Sequence, residues 1–301
     1  MCFTNTVKNC LKFLLCVMAY GVVFMLVNAF LPFSQGFIEA SEQAAEYQSP
    51  AMFLAFVFIF WNCFTAYFII RHANFCGKKL FVRLFYVMLF VVVFIPGLLA
   101  MESAHVHNVM WQDMALIMIP GMLSLLAMIP LMMKFFQNNN AKDTFVEHKK
   151  LGFKDTVIKL GLCGLVLLPV LVCSYIINVL GFEEYRAFYA DTSWVQAIQG
   201  GNPIGFIPLI TIPLFRGILN AFFLLPMLSM ITKSKLRFIT ALCLLVLAPA
   251  MTMLVPNPLL PDIVRLLHFA SWTGSMLLFG IIAGNILWRS KRQMRNSVPA
   301  I

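Results

Sequence analysis

Long apolar runs separated by short polar or charged stretches dominate this chain. Eight of the runs reach the roughly 20 residues that a helix needs to cross the hydrocarbon core of a bilayer. They fall at about 11 to 31, 51 to 70, 80 to 100, 112 to 133, 158 to 180, 205 to 230, 238 to 255 and 265 to 288. The strands of a membrane barrel would instead show alternating segments of about 10 residues, and a run such as Phe81 to Leu99 does not alternate. The pattern predicts an all-α, polytopic integral membrane protein with eight transmembrane helices.

Composition supports this, because 301 residues of which 61% are apolar and 11% charged cannot hide their apolar surface in one soluble core. Charge adds a threading. Of the 22 basic residues, 19 lie in five stretches between the runs, and only Arg186, Arg216 and Arg265 fall elsewhere. The positive-inside rule makes those five stretches cytoplasmic, and an even number of spans then places both termini on the same side. Nine of the twelve acids, among them Glu39, Glu184 and Asp262, fall on the opposite side or at its boundary. The net charge of +10 is thus accounted for by topology and by contact with anionic headgroups at the cytoplasmic face, and needs no nucleic-acid partner.

The eight cysteines lie within spans or on the cytoplasmic side, without Cys-x-x-Cys spacing, and are expected to be reduced. The first apolar run is long and lacks a small-x-small cleavage site, so it is expected to be retained as a helix. A compact chain without an Asn-x-Ser/Thr acceptor points to a cell inner membrane.

The halves of the chain echo each other about a segment near 134–157 that contains Asn138, Asn139 and Asn140. At an offset of 150, Phe3, Thr6, Val7, Val22 and Asn28 meet Phe153, Thr156, Val157, Val172 and Asn178, and Asn62-x-Phe64 later matches Asn220-x-Phe222. This predicts a parallel 4+4 tandem repeat, with residues 1–133 as the first four-helix unit, 134–157 as a cytoplasmic linker and 158–301 as the second unit. Because four crossings restore the orientation, the pseudo-two-fold axis would run along the membrane normal, with functional sites near the seam.

The sixth run holds the candidate site. Pro203, Pro208 and Pro213 at five-residue spacing predict a kinked or broken outer half, since each interior proline removes a helical hydrogen bond. Arg216 follows about 14 Å into the span at 1.5 Å per residue, where an arginine costs roughly 2.5–3.5 kcal/mol and needs a partner. Asn220 lies on the same helical face. Arg216, Asn220, Asn62 and Pro213 are therefore the candidate substrate-binding residues, with Arg216 snorkelling outward, capping carbonyls freed by Pro208 and Pro213, or meeting an anion, carboxylate or headgroup. The asparagines Asn28, Asn62, Asn178 and Asn220 are alternatively read as packing links between helices. Outer-side candidates are Glu39, Glu184, Arg186 and Arg265: the acids attract cations to the entrance or pair with the two arginines, or all four are solvated loop charge.

His105 and His107 with nearby carboxylates, joined by His268, could form a divalent-metal or haem site, or sense pH; the alternative is that His105 and His107 are simply solvated loop residues. No cofactor is otherwise expected. Glu42-Gln-Ala-Ala-Glu46 in a 4+4 plan is similar to the haem A synthase family, but that family ligates haem through histidines on its spans and here only His268 lies in one. Glu183-Glu184-Tyr185-Arg186 resembles the Glu-Glu…Arg motif of intramembrane CAAX-type proteases, with too short a spacing and no downstream histidine pattern. Neither activity is carried over. The expected function is a transporter or permease for a small molecule, ion or lipid, with a pathway between the units. An integral-membrane enzyme or haem/redox subunit, and a membrane assembly partner, are the alternatives.

Overall fold

The computed structural model describes residues 2–45, 51–98, 111–137, 152–200, 203–255 and 260–288. All regular structure among them is helical. Eight helices are long and apolar enough to cross a membrane. These are α1 (Cys2–Phe30), α3 (Ala51–His72), α4 (Gly77–Leu98), α5 (Trp111–Phe136), α6 (Phe153–Gly181), α9 (Phe206–Leu224), α11 (Lys235–Thr252) and α12 (Asp262–Leu287). Each overlaps one of the eight apolar runs. The shorter helices are α2 (Gln35–Ala45), α7 (Glu183–Phe188), α8 (Ser193–Ile198) and α10 (Met227–Met230).

The expected break in the sixth run is not found, because α9 is continuous from Phe206 to Leu224. Pro203 sits in the 3-10 turn Pro203–Gly205 that precedes the helix. Pro208 falls in the first turn, where a backbone N–H has no intrahelical acceptor to lose. Only Pro213 lies in the helix interior, and one missing hydrogen bond does not unwind it. Helix is lost in this run only beyond Leu224, at Leu225–Pro226, and a second irregularity lies in α4, where Leu89–Phe94 form a π-helical segment. Pro96 follows directly, and its ring would meet the Val92 carbonyl in a regular helix; widening the turn to i→i+5 relieves that clash.

The helices pack in pairs. In the first half of the chain α1 lies against α5 and α3, and α4 against α5; in the second half α6 lies against α12 and α9, and α11 against α12. Contacts between halves run from α11 to α3 and to the π segment of α4, and from α9 to α4. In α11, 67% of the most apolar stretch is buried, against 22% in α1, so α11 is central and α1 peripheral. The exposed Leu11, Leu14, Leu15, Met18 and Met25 of α1 face outward, as lipid-facing side chains must.

Close contact between α6 and α9 depends on two glycines. A Cβ on Gly217 would stand 2.8 Å from the Gly164 Cα, and one on Gly164 would stand 2.9 Å from the Leu214 carbonyl oxygen. Small residues let membrane helices approach backbone to backbone. Gly217 is the neighbour of Arg216, so this crossing fixes where the arginine projects.

The two ends of the bundle are built differently. At one end α7 and α8 cap the second half over a small cluster of Val179, Tyr185, Tyr189, Val195 and Val264. Asp113, at the start of α5, accepts from the Ser34 backbone N–H at 2.8 Å and from its hydroxyl at 2.6 Å, which holds the start of α2 in place. At the other end polar bonds tie the halves together. The Asn74 backbone N–H donates to Met230 O at 2.8 Å and its side chain donates to the Thr232 hydroxyl. Arg83 donates to the Ser229 hydroxyl at 2.6 Å while lying 4.2 Å from the centre of the Phe75 ring.

Candidate functional site

Arg216 lies ten residues along α9 from Phe206, about 15 Å at 1.5 Å per residue and near the middle of the span. Its Nη1 donates to the Tyr175 hydroxyl of α6 at 2.9 Å. Its guanidinium carbon stands 5.8 Å from the centre of the Trp272 ring of α12, within cation–π range. The Asn220 amide donates back to the Arg216 carbonyl at 2.9 Å, while its buried Oδ1 has no partner among the described residues. One helical turn thus presents a cation and an amide on the same face, as their spacing requires.

Two cavities share Arg216 and Ile212 in their walls. The larger, about 540 Å³, lies between Ile95 and Leu98 of α4 and the Thr211, Ile212, Phe215, Leu219 face of α9, with Arg216 and Asn220 also lining it. It is therefore at the seam between the two halves of the chain. Its α4 wall begins one residue after the π segment. Five of its eight lining residues are apolar, and the polar ones are Thr211, Asn220 and Arg216.

The smaller chamber, about 90 Å³, lies on the α7/α8 side of Arg216 and is walled largely by aromatic rings. Tyr175 comes from α6, Tyr185 from α7, Tyr189 from the turn that ends it, Trp194 from α8, and His268 and Trp272 from α12. The Tyr175 and Trp194 rings are 5.4 Å apart, as are those of Tyr189 and Trp194, and Tyr185 lies 5.2 Å from His268. The Tyr189 hydroxyl and His268 Nε2 share a hydrogen bond of 2.8 Å whose direction depends on the histidine tautomer. Thr192 donates to Tyr189 O at 2.6 Å and pins the turn between α7 and α8.

Two side chains bordering this chamber carry buried donors without acceptors among the described residues. The Tyr185 hydroxyl lies beside Asn178 yet makes no hydrogen bond of ordinary geometry, and the Trp272 indole N–H makes none. Burial, with Tyr189 and Tyr175 nearby, holds the Tyr185 phenol well above its ordinary pKa, so it stays protonated. An indole nitrogen can only donate. With the guanidinium, the chamber is rich in donors and suited to an acceptor.

The other residues singled out by the sequence lie apart from this site. Asn62 is buried in α3 and donates to the Tyr20 hydroxyl of α1 at 3.4 Å; it does not line either cavity. Pro213 is buried on α9 next to the site without lining a cavity. Asn178 does link two helices, donating to Ser271 of α12 at 3.3 Å, whereas Asn28 donates within its own helix, to Phe24 O at 2.9 Å. Glu39 and Glu184 are exposed and Arg186 is half-buried on α7. Arg265 is buried at the start of α12, where it pairs with Asp262 at 2.7 Å and donates to Met253 O at 3.0 Å and Leu254 O at 2.7 Å. It caps the end of α11 rather than facing the acids of other outer segments. His105 and His107 lie outside the described residues. Among the described residues no group of three or more His, Cys, Asp or Glu side chains is placed to hold a metal ion.

Sequence reasoning missed the aromatic wall. A usable signal exists, because Arg265, His268 and Trp272 fall at i, i+3 and i+7 and share one face of α12. Tyr175, Tyr185, Tyr189 and Trp194 also crowd a short stretch, but only the fold of α7 and α8 back over the bundle joins them to that face.

Fold and site together define an all-helical, multi-pass membrane protein with an arginine at the junction of an apolar cavity and an aromatic chamber. Comparison with known protein families, curated proteins and solved structures finds no match to the chain.

Proposed function

We propose that the protein is a transporter or permease whose pathway runs between two four-helix units, with Arg216 recognising an anionic group of the cargo. The observation that carries this reading is the placement of Arg216 and Asn220 on the wall of a cavity at the seam between α4 and α9. An arginine near the middle of a span is costly, faces the bundle interior or a cavity, and is a candidate for a substrate or ion path.

The helix contacts support the tandem repeat that this reading requires. Shifting by four crossings turns α1·α5 into α6·α12, α3·α1 into α9·α6, α4·α5 into α11·α12, and α11·α3 into α9·α4, and all these contacts occur. In this reading both termini and the exposed Lys78, Lys79, Lys154, Lys235 and Arg237 face the cytoplasm, against anionic headgroups, and the membrane is the cell inner membrane. The α7/α8 cap then faces outward.

Sided accessibility tests the reading without knowledge of the cargo. Single cysteines replacing Leu98 and Thr211 in a cysteine-free background are labelled in oriented membrane vesicles with a membrane-impermeant maleimide. A transport path predicts reaction at these positions from both faces, whereas labelling from one face only would leave a binding site and no pathway.

A further inference from the structure

We infer that the ligand of this site is a single-tailed amphiphile with an anionic carboxylate or phosphate head, the head entering the aromatic chamber beside Arg216 and the tail lying in the cavity between α4 and α9. This rests on the proposed role of Arg216 and specifies its ligand. A small water-soluble anion has no tail with which to fill the larger cavity. Here the larger cavity offers mainly Ile95, Leu98, Ile212, Phe215 and Leu219, a surface that suits a hydrocarbon chain.

The head is argued from donors. Tyr185 and Trp272 are 0% and 4% exposed, and their O–H and N–H groups have no acceptor among the described residues. Buried donors left unmade are costly, so a pair of them bordering one chamber marks a place where an acceptor binds. The planar guanidinium of Arg216 adds donors in a fork that matches carboxylate and phosphate oxygens. Tyr175 and the Trp272 ring hold that fork in place. A chamber of about 90 Å³ has room for one such head with a few waters and not for a sugar or nucleotide headgroup. Arg216 and Ile212, which stand in both walls, mark where head meets tail.

The test uses the full-length protein in nanodiscs of zwitterionic phosphatidylcholine and reads the thermal midpoint of unfolding. Dodecyl phosphate, laurate and dodecanol are compared at equal mole fraction in the lipid, so that tail partitioning cancels, and inorganic phosphate is added as the head without a tail. The expectation is a rise in midpoint with dodecyl phosphate or laurate and no rise with dodecanol or inorganic phosphate. A preference between the two anions identifies the head. Arg216→Gln should weaken the apparent affinity at least tenfold and Arg216→Lys by less, since charge remains but the fork is lost. Leu98→Trp, which fills the tail cavity, should abolish the response while leaving the ligand-free midpoint in place. Should Arg216→Gln fail to fold, the Arg216→Lys and Leu98→Trp variants decide. Equal responses to dodecanol and dodecyl phosphate, or to phosphate alone, would overturn the assignment, as would unchanged responses in the variants. One-sided cysteine labelling with anion-selective binding would remove the transport reading and leave this one standing.

Discussion

Arg216 and Arg265 show how differently one residue type can be used within a single half of the chain. Arg265 is 3% exposed, and Asp262 with the Met253 and Leu254 carbonyls surrounds it at 2.7 to 3.0 Å. Those carbonyls are at the end of α11, where intrahelical donors have run out, so the guanidinium stands in for the next turn. Replacing it with methionine keeps the volume and removes the donors. Arg265→Met is expected to lower the unfolding free energy by about 2–4 kcal/mol, the range for charged hydrogen bonds and broken buried pairs. Asp262→Asn should cost less than about 1 kcal/mol, because the Asp262 side chain is 35% exposed and solvent screens its share. Denaturation by titrated detergent measures both, and equal losses would assign the energy to the ion pair instead of the capped carbonyls. The sequence placed Arg265 at a boundary near acids, which is where it lies. Its actual partners were not legible, because they depend on how the chain turns between α11 and α12. Arg216 was legible as an exception to the charge layout, while its neighbours Tyr175 and Trp272 come from helices 41 and 56 residues away and no local pattern announces them.

At the scale of elements, existence was easier to read than regularity. Eight apolar runs became eight helices because length and hydropathy alone decide whether a segment can cross a bilayer. Proline counting predicted a broken outer half in the sixth run, yet the helix is continuous there, since three prolines matter less than where each falls in the turn. A single proline, Pro96, accompanies the π segment of α4. The glycines carry information of the same positional kind. Gly161 and Gly164 are three residues apart on α6, yet a Cβ on Gly161 meets nothing within 4 Å, while one on Gly164 would stand 2.8 Å from the Ile218 side chain and 2.9 Å from the Leu214 oxygen. Gly161→Ala is accordingly expected to be neutral or stabilising by up to about 1 kcal/mol, through the lower flexibility of alanine. Gly164→Ala and Gly217→Ala should each cost about 1–3 kcal/mol by overpacking the crossing. They should also weaken dodecyl phosphate binding, because α6 and α9 carry Tyr175 and Arg216. Unfolding free energies for the three variants check this, and a Gly164→Ala protein as stable as Gly161→Ala would show that the helices separate without penalty.

The whole molecule is held at its seam by both kinds of interaction that the membrane permits. Packing of α11 against α3 and α4, and of α9 against α4, supplies the apolar part. The Trp61 indole donates to Leu244 O at 3.0 Å across the same seam. At the end opposite the α7/α8 cap, Arg83–Ser229 and the two bonds of Asn74 add polar ties between the halves. All of these join residues before 134 to residues after 157, so none needs the connecting segment to exist. In the proposed repeat each half has four crossings and returns to the side on which it began, which leaves each able to insert with its own orientation signals. The protein is therefore expected to assemble from two separately expressed chains cut within residues 138–151. An affinity tag on the first chain alone should retain the second through purification in mild detergent, at one copy each. The Arg83→Ala, Asn74→Ala double variant should weaken that retention, because each leaves a partner on the other half without its donor. Loss of the second chain in the unmutated pair would mean that the covalent connection holds the seam closed, and the cavity beside Arg216 would then be a cleft tethered from one side instead of a path between two self-sufficient units.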